Sequence, residues 1–259
     1  MSAQLTEQVK ELDVGAAKII DSITAPEVRS KGLHDYVTDV DVAVSNYLCE
    51  RLPQLLPGSR VISEEADVTE PDDGYCWIID PIDGTSNFIC GSPEYAISIG
   101  LIRHKKAILG VVYAPSLKKL YYAAEGHGAF CNGEPIRVSE AENLESSLIL
   151  SETNPYSSSR ETNLFQKILT ELYPDCIDYR ITGSAALDCC YIACGCGGVF
   201  VAENLKPWDY AAGEVLIREA GGMLTTFEGK MQTYEGSTSV LAAHGPVHEE
   251  VLNRLRKFI

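Results

Sequence analysis

Residues Trp77 to Phe88 read WIIDPIDGTSNF, and this segment gives the strongest indication of the fold. It continues a short apolar run, residues 75–79, of the kind that forms a buried strand. The strand is predicted to stop at Asp80, because a proline follows and a glycine four residues after the aspartate permits a sharp bend. The sequence therefore predicts a buried strand that ends in two carboxylates, those of Asp80 and Asp83.

These two carboxylates predict a cation site. Asp80 and Asp83 are three residues apart and would repel each other unless cations lay between them. The bend frees the carbonyl of Ile82 as a third oxygen ligand, and oxygen-only ligation suits Mg²⁺ or Mn²⁺. If a helix begins at Gly84-Thr85, its free N–H groups and the threonine hydroxyl face an anion. Metal-assisted hydrolysis of a phosphoester needs such an arrangement.

Three other acidic groups stand at the start or end of predicted elements: Asp39 and Asp41, Glu64 and Glu65, and Asp209. Taken singly, such residues are mostly solvated side chains or helix caps. Asp39 is interpreted as the cap of a helix predicted from Asp41 to about Leu55, and Glu65 as a group behind the ligands. The joint pattern favours a functional reading for Glu64, Asp80, Asp83, Thr85 and Asp209.

Around this segment, residues 60–150 are predicted to form a mainly antiparallel sheet behind two amphipathic helices. Its turns are predicted at His104-Lys105 and Asn132-Gly133. The second half alternates strands and helices, a pattern typical of layered α/β proteins. The predicted elements there are strands at Ser147–Ser151, 177–180, Val199–Val201 and 239–242, and helices at 160–172, 184–194, Pro207–Ala220 and 247–258. A change in composition near residues 140–150 suggests two subdomains that share a cleft.

The charge balance excludes several classes of function. The 259 residues include 37 acidic and 21 basic side chains, for a formal charge of −16. Such a field repels nucleic-acid backbones and anionic lipids, so neither is expected as a partner, although bound cations can invert the local sign. With no signal peptide or long apolar run, a cytoplasmic location is expected.

The cysteines predict neither a disulfide framework nor a zinc site. There are nine of them, with no paired Cys-x-x-Cys spacing. The cluster from Cys189 to Cys196 reads as a buried helix that uses cysteine as a small apolar residue.

Five segments together resemble the inositol monophosphatase family of metal-dependent, lithium-sensitive phosphatases. They occur in the family's order and span most of the chain. They are residues 37–41 (VTDVD), 62–65 (ISEE), 77–88 (WIIDPIDGTSNF), 183–187 (GSAAL) and 208–213 (WDYAAG). The resemblance implies a layered α-β-α-β-α sandwich, of the inositol monophosphatase and fructose-1,6-bisphosphatase type, over residues 1–259. We divide it into a metal-binding half, 1–145, and a substrate-facing half, 146–259, and expect a homodimer.

The resemblance also implies roles for individual residues. The first metal is held by Glu64, Asp80 and the Ile82 carbonyl, and the second by Asp80, Asp83 and Asp209. The catalytic residues are Glu64 and Thr85, which position and activate the attacking water, and Asp41, which lies near a third, weaker metal through water. Substrate contacts fall on Glu64, Ile82, Asp83, Gly84, Thr85, Gly183, Ser184, Ala185 and Asp209. The implied cofactor is two or three Mg²⁺ ions, with Mn²⁺ as an alternative.

One departure from the family leaves the substrate open. Many inositol-specific members carry a glutamate seven residues before the last metal aspartate, where Ala202 stands here and Glu203 is one residue off. Arg180 would meet a second anionic group of a substrate or form a structural ion pair. The leading hypothesis is therefore hydrolysis of a small phosphorylated polyol, with inositol 1-phosphate first. The alternatives are fructose 1,6-bisphosphate, 3′-phosphoadenosine 5′-phosphate, and a catalytically silent module that senses metal or phosphate.

Overall fold

The computed structural model describes residues 3–32, 35–66, 73–153 and 164–258. The helices in these ranges are α1 (Ala3–Ser22), α2 (Asp39–Leu55), α3 (Thr85–Cys90), α4 (Leu164–Leu172), α5 (Ala185–Ala193), α6 (Pro207–Glu219) and α7 (Gly245–Leu255). None of these helices is both long and apolar enough to cross a membrane. The predicted loop at 67–74 and the predicted helical residues 160–163 lie largely or wholly outside the described residues.

Within the described residues, the strands form a hairpin and two sheets. The hairpin pairs β1 (Val28–Gly32) with β2 (Asp35–Thr38). The larger sheet contains, in spatial order, β3 (Arg60–Ser63), β4 (Tyr75–Asp83), β5 (Ala96–Arg103), β6 (Lys106–Ala114), β7 (Lys119–Ala124), β8 (Ala129–Cys131) and β9 (Glu134–Pro135). All its neighbours are antiparallel except β3 and β4. The smaller sheet contains β10 (Leu148–Ser151), β11 (Asp178–Ile181), β12 (Val199–Leu205), β13 (Met223–Thr225) and β14 (Thr238–Ala243), in the order β11-β10-β12-β14-β13.

The period-two alternation of the strands produces five layers. On β4, Trp77 and Ile79 face α1 and α2, whereas Cys76 and Ile78 face α5 and α6. On β12, Phe200 faces α5 and α6, and its neighbours on either side face α4 and α7. Each of the two sheets is thus covered on both faces, which explains why central strands such as β4, β5 and β12 are largely apolar on both faces. The molecule is the layered α-β-α-β-α sandwich that the sequence predicts.

Several boundaries differ from the prediction. The strand β4 runs past Asp80 to Asp83, and α2 begins at Asp39, two residues early. The cap of α2 is Thr38 and not Asp39: the Thr38 hydroxyl accepts from the Asp41 N–H, and the Asp41 carboxylate accepts from the Thr38 N–H at 2.9 Å. Asp39 instead accepts from the Glu27 N–H at 2.9 Å.

The cysteine cluster is buried only in part. Cys189 and Cys190 are fully buried within α5, as predicted. Cys194 caps the end of that helix and Cys196 is exposed beyond it, so the predicted helical core includes only the first pair.

Two glycines set the distance between α6 and the larger sheet. Gly100 on β5 lies opposite Gly110 on β6. A Cβ atom at Gly110 would lie 2.3 Å from the carbonyl oxygen of Ala212, and one at Gly100 would lie 3.0 Å from its nitrogen. The backbone of α6 therefore rests directly on the sheet, which fixes the position of Asp209 at its first turn.

We expect Gly110→Ala to lower the free energy of unfolding by about 1–3 kcal/mol, because the added methyl group overpacks this contact. Denaturant unfolding measures the change. Gly245→Ala is the control, since a Cβ there meets no atom within 4 Å. Equal stabilities of the two variants would contradict the close packing of α6.

Candidate active site

The ends of β3, β4 and β12 and the starts of α3, α5 and α6 meet at one cleft of about 700 Å³. Glu64 follows β3, the Asp80–Asp83 segment ends β4, and Asp209 lies in the first turn of α6. Of the predicted site residues, the lining contains Glu64, Asp80, Ile82, Asp83, Gly84, Thr85, Gly183, Ala185 and Asp209. Asp41 and Ser184 lie behind this surface, both essentially buried.

A bulge in β4 brings two of the carboxylates to the same side. Asp80 pairs with Ser98 and Asp83 with Ala96, so three steps along β4 oppose two along β5. The extra residue breaks the alternation of faces, and the Ile82 N–H donates to Asp80 Oδ1 at 3.0 Å. Carboxylate oxygens of Asp80, Asp83 and Asp209 consequently lie within 4.8 Å of one another.

Two of these carboxylates are held in place by hydrogen bonds from other parts of the chain. Asp83 Oδ2 accepts from the Ser184 hydroxyl and, at 2.9 Å, from the Ala186 N–H. Asp209 Oδ2 accepts from the Lys206 N–H at 2.7 Å. Asp209 is therefore a cap of α6 and a member of the cluster at once. Its remaining oxygen is free to ligate.

Burial makes this cluster electrostatically unfavourable in the absence of cations. Loss of water raises the pKa of Asp80 and Asp209 well above the usual aspartate range, and the neighbouring carboxylates raise both further. Burial also raises the pKa of Asp83 to about 6, although the hydrogen bonds from Ser184 and Ala186 oppose the shift. Hard oxygen donors this close together suit a hard divalent cation. The residues present therefore fit a metal site.

Glu64 stands beside the cluster in an ion pair. Its Oε1 lies 2.8 Å from Lys31 Nζ, and the same ammonium lies 2.7 Å from Glu65 Oε1. Burial raises the pKa of Glu64 to about 7, and the charge of Lys31 opposes that shift. Lys31, from β1, is a site residue that the sequence did not indicate. Glu65 contacts the same lysine and is not part of the cleft lining.

Thr85 connects the cleft to a buried carboxylate. Its hydroxyl lies 3.2 Å from Asp41 Oδ1 and 3.0 Å from the Ile82 carbonyl oxygen. Asp41 itself is fully buried and is held by Thr38. A hydroxyl that donates inward to Asp41 keeps its lone pairs for a donor in the cleft.

Beside Thr85, the chain turns sharply into α3. Gly84 has φ +88°, and a Cβ there would lie 3.0 Å from the carbonyl oxygens of Glu94 and Gly183. Only glycine fits this left-handed, crowded position. The turn places Gly84, Thr85 and Ser86, at the start of α3, in the lining of the cleft beside the carboxylate cluster.

The opposite wall contains a second carboxyl pair that sequence reasoning missed. Glu152 lines the cleft, and its Oε1 accepts from the Gly183 N–H at 3.1 Å. Asp188 accepts from the Thr182 hydroxyl at 2.8 Å and neighbours Glu152. Burial raises the pKa of Glu152 to about 7. The pair fixes the turn before α5; the only signal in the sequence is that Glu152 follows the end of a buried strand.

The sequence leaves open which of Ala202, Glu203 and Arg180 faces a substrate, and the structure gives the position of each. Ala202 is buried, whereas Glu203 lines the cleft, because β12 bulges between Ala202 and Leu205. The Glu203 carboxylate also accepts from the Phe165 N–H. Arg180 lies outside the cleft lining and pairs with Asp178 at 2.6 Å, which favours the structural interpretation of that arginine.

Comparison with known proteins identifies the family. The profile of the inositol monophosphatase family matches residues 2–259. The chain belongs to the inositol monophosphatase family. This family is metal-dependent, in agreement with the carboxylate cluster that the fold assembles.

Three similar proteins illustrate the range of the family. The Nus factor SuhB of Escherichia coli K12 is 36% identical over 241 residues, which is 93% of this chain and 90% of that protein. A fructose-1,6-bisphosphatase/inositol-1-monophosphatase of Thermotoga maritima is 36% identical over 231 residues, 89% and 86% of the two chains. A solved structure of a Thermotoga maritima IMPase superposes with a TM-score of 0.86 at 33% identity, over 97% of this chain and 96% of that one.

Proposed function

We propose that the protein is a Mg²⁺-dependent phosphomonoester hydrolase that acts on small phosphorylated polyols, with inositol 1-phosphate as the leading substrate. The observation that carries the proposal is the convergence of Asp80, Asp83 and Asp209 beside the Thr85–Asp41 pair in one cleft. Kinetic assay of inositol 1-phosphate with and without Mg²⁺ tests it directly. Absence of Mg²⁺-dependent release of phosphate would overturn it.

The proposed ligands divide between two metal positions. Glu64, Asp80 and the Ile82 carbonyl would hold one Mg²⁺, and Asp80, Asp83 and Asp209 a second, with Asp41 near a third through water. Mn²⁺ is the expected substitute, because it accepts the same oxygen donors. Bound cations would supply the positive charge that neutralises the phosphate dianion and the leaving alkoxide.

The chain's own groups would place the attacking water and remove its proton. Thr85 Oγ1 can accept a hydrogen bond from a water in the cleft while it donates to Asp41. Glu64, the second acceptor beside the cluster, would share the orientation of that water. As the water oxygen bonds to phosphorus, a water proton would pass to the Glu64 carboxylate, the phosphorus–oxygen bond to the alcohol would break, and the leaving alkoxide would take up a proton from solvent. The N–H groups of Gly84 and Thr85 would bind the phosphate oxygens.

We expect Thr85→Ala to lower kcat by about two to three orders of magnitude, because the water loses its acceptor and Asp41 its contact with the cleft. Thr85→Ser is the matched control: it keeps the hydroxyl and should retain most of the activity. Steady-state kinetics at saturating Mg²⁺ measures both. If the alanine variant matched the serine variant, the role assigned to Thr85 would be wrong.

The opposite wall would bind the alcohol part of the substrate. The lining there is formed by Gly183, Ala185 and Glu203, and Ser184 contributes by holding Asp83 from behind. We propose that Glu203 takes the place of the glutamate absent at Ala202, because the bulge in β12 turns it to the cleft. The first half of the chain, 1–145, would then supply most metal ligands, and 146–259 the substrate wall together with Asp209.

For Glu203→Gln we expect KM for inositol 1-phosphate to rise about tenfold, the cost of roughly one good hydrogen bond, with little change in kcat. Glu134→Gln, on the exposed strand β9, is the control. An unchanged KM would remove Glu203 from substrate recognition.

There are three alternatives to hydrolysis of inositol 1-phosphate, two of them other substrates and one a protein without catalytic activity. The name of the Thermotoga maritima relative supports fructose 1,6-bisphosphate as a substrate, and 3′-phosphoadenosine 5′-phosphate is the third candidate on this scaffold. A comparison of kcat/KM for the three compounds decides; if inositol 1-phosphate is the poorest, the preferred substrate is wrong. The name Nus factor specifies no phosphatase activity, so a catalytically silent module that senses metal or phosphate is the non-enzyme alternative. Tight binding of inorganic phosphate without turnover of any monoester would favour that alternative.

We further propose that the protein forms a homodimer and is inhibited by millimolar lithium, two properties carried over from the family. We also propose the cytoplasmic location expected from the sequence. Light scattering and an assay in LiCl test the first two.

A further inference from the structure

Two thiols lie side by side at the end of α5, away from the cleft. Cys194 is the residue that caps the helix, and Cys196 follows after one glycine. The two Sγ atoms are 3.3 Å apart, and the Cys194 S–H donates to the Cys196 sulfur. Cys196 is exposed and Cys194 is half-buried, so a reagent in solution reaches Cys196 directly.

The backbone holds the two thiols in this position. The Gly195 N–H donates to the Ile192 carbonyl at 3.1 Å, and the Cys196 N–H to the Tyr191 carbonyl at 2.9 Å. Gly195 has φ +74°, and a Cβ there would lie 3.0 Å from the Arg137 carbonyl oxygen. The turn therefore requires glycine, and its fixed course brings together side chains that a freely moving chain would separate.

The difference in exposure assigns the two thiols different roles. Thiol–disulfide exchange begins with attack by an accessible cysteine, and Cys196 is the exposed one of the pair. Burial and the neighbouring sulfur raise the pKa of Cys194, which suits the thiol that acts second. The arrangement is an exposed attacking cysteine beside a resolving one.

We propose that Cys194 and Cys196 are a redox modification site that closes to a disulfide in exchange with low-molecular-weight disulfides such as oxidised glutathione. The Cys196 thiolate attacks one sulfur of the oxidant, whose S–S bond breaks and releases one thiol. The Cys194 sulfur then gives up its proton and attacks Cys196 Sγ, which expels the second thiol. Two protein thiols are oxidised, and one small disulfide is reduced to two thiols.

Ring closure requires little movement. The sulfurs approach from 3.3 Å to the S–S bond length of about 2.05 Å. A disulfide across a single residue is strained, and strained disulfides are the readily reduced ones. We therefore expect the Cys194–Cys196 disulfide to form and break reversibly and not to act as a structural cross-link. This inference does not depend on the proposed phosphatase activity, because thiol chemistry is its only readout.

The test equilibrates the folded full-length protein in buffers of increasing oxidised-to-reduced glutathione ratio, quenches with an alkylating reagent and measures intact mass. We expect a species that has lost the mass of two hydrogens and two alkylation sites, with peptide mapping that joins Cys194 to Cys196. It should revert with dithiothreitol. It should be absent from Cys196→Ser and Cys194→Ser and present in Cys90→Ser, a control at another exposed cysteine.

Three results would overturn the proposal. They are a stable glutathione adduct on Cys196 in place of the internal bond, a bond from Cys196 to Cys131 on β8, and full alkylation of both thiols at every ratio. Cys196 is exposed, so the serine variant should fold; circular dichroism of each variant confirms that its fold is intact before its thiols are compared.

Discussion

Asp83→Asn will lower kcat at saturating Mg²⁺ by on the order of a thousandfold, the scale seen when one charge-stabilising group is removed from a catalytic site. The amide is uncharged and presents an NH₂ group toward Asp80 and Asp209, so it repels a cation. Its carbonyl oxygen can still accept from the Ser184 hydroxyl and the Ala186 N–H, which preserves the start of α5.

The same substitution should raise the melting temperature of the metal-free protein. Burial and neighbouring carboxylates make this cluster costly without cations, and the amide removes one of its charges. Asp178→Asn, on the exposed side of β11, is the control and should leave both kcat and the metal-free stability nearly unchanged. Wild-type activity in Asp83→Asn would refute the assignment of the cluster as the metal site.

Mg²⁺ will stabilise the protein more strongly at pH 8 than at pH 5. Folding raises the pKa of Asp83 from 3.8 to about 6 and that of Glu64 from 4.5 to about 7. Between about pH 4 and pH 7 the folded, metal-free protein therefore binds more protons than the unfolded chain. The stability that these two groups contribute to the metal-free protein is fully present below that window and is lost as the pH rises through it.

Mg²⁺ restores this lost stability because it binds the deprotonated carboxylates. At a hundred times its dissociation constant a ligand stabilises the folded state by about 2.7 kcal/mol, and protons compete with it at low pH. Thermal melts with EDTA or with excess Mg²⁺ across pH 5–8 measure the difference, and Asp83→Asn should reduce it. A Mg²⁺-induced shift that is constant with pH, or larger at pH 5, would contradict the account.

The hairpins were predictable because their signals are local. His104 and Lys105 adopt positive φ between β5 and β6, as does Asn132 before Gly133 between β8 and β9. Turn residues and the alternation of apolar residues around them define such pairs without help from the rest of the chain. These patterns gave only a layered α/β arrangement, and the five layers were implied by the resemblance to the family; strands that are apolar on both faces agree with five layers, because they require cover on both.

The strands that the sequence missed lack such signals. Every residue of β1 is exposed, so no apolar alternation marks it. The extension of β4 through Asp83 contains a proline and two aspartates, which disfavour a strand by propensity. Pairing with β5 and the bulge between Asp80 and Asp83 override that preference, and no short-range pattern encodes a partner strand.

The site was predictable where its residues follow one another and unpredictable where they meet through the fold. Asp80, Asp83 and Thr85 share one turn of chain, whose chemistry is legible in sequence. The pairing of Lys31 with Glu64 joins residues 33 positions apart, and Glu152 meets Gly183 across 31. Such contacts depend on the packing of separate layers, which the sequence does not display directly.

The most direct measurement is a crystal structure of the protein grown with Mn²⁺ and inorganic phosphate, with data collected for the anomalous signal of manganese. We expect at least one anomalous peak within coordination distance of Asp80, Asp83 and Asp209, with the phosphate between that peak and the first N–H groups of α3. A phosphate bound elsewhere, or a cleft in which these carboxylates contact no manganese, would contradict this expectation.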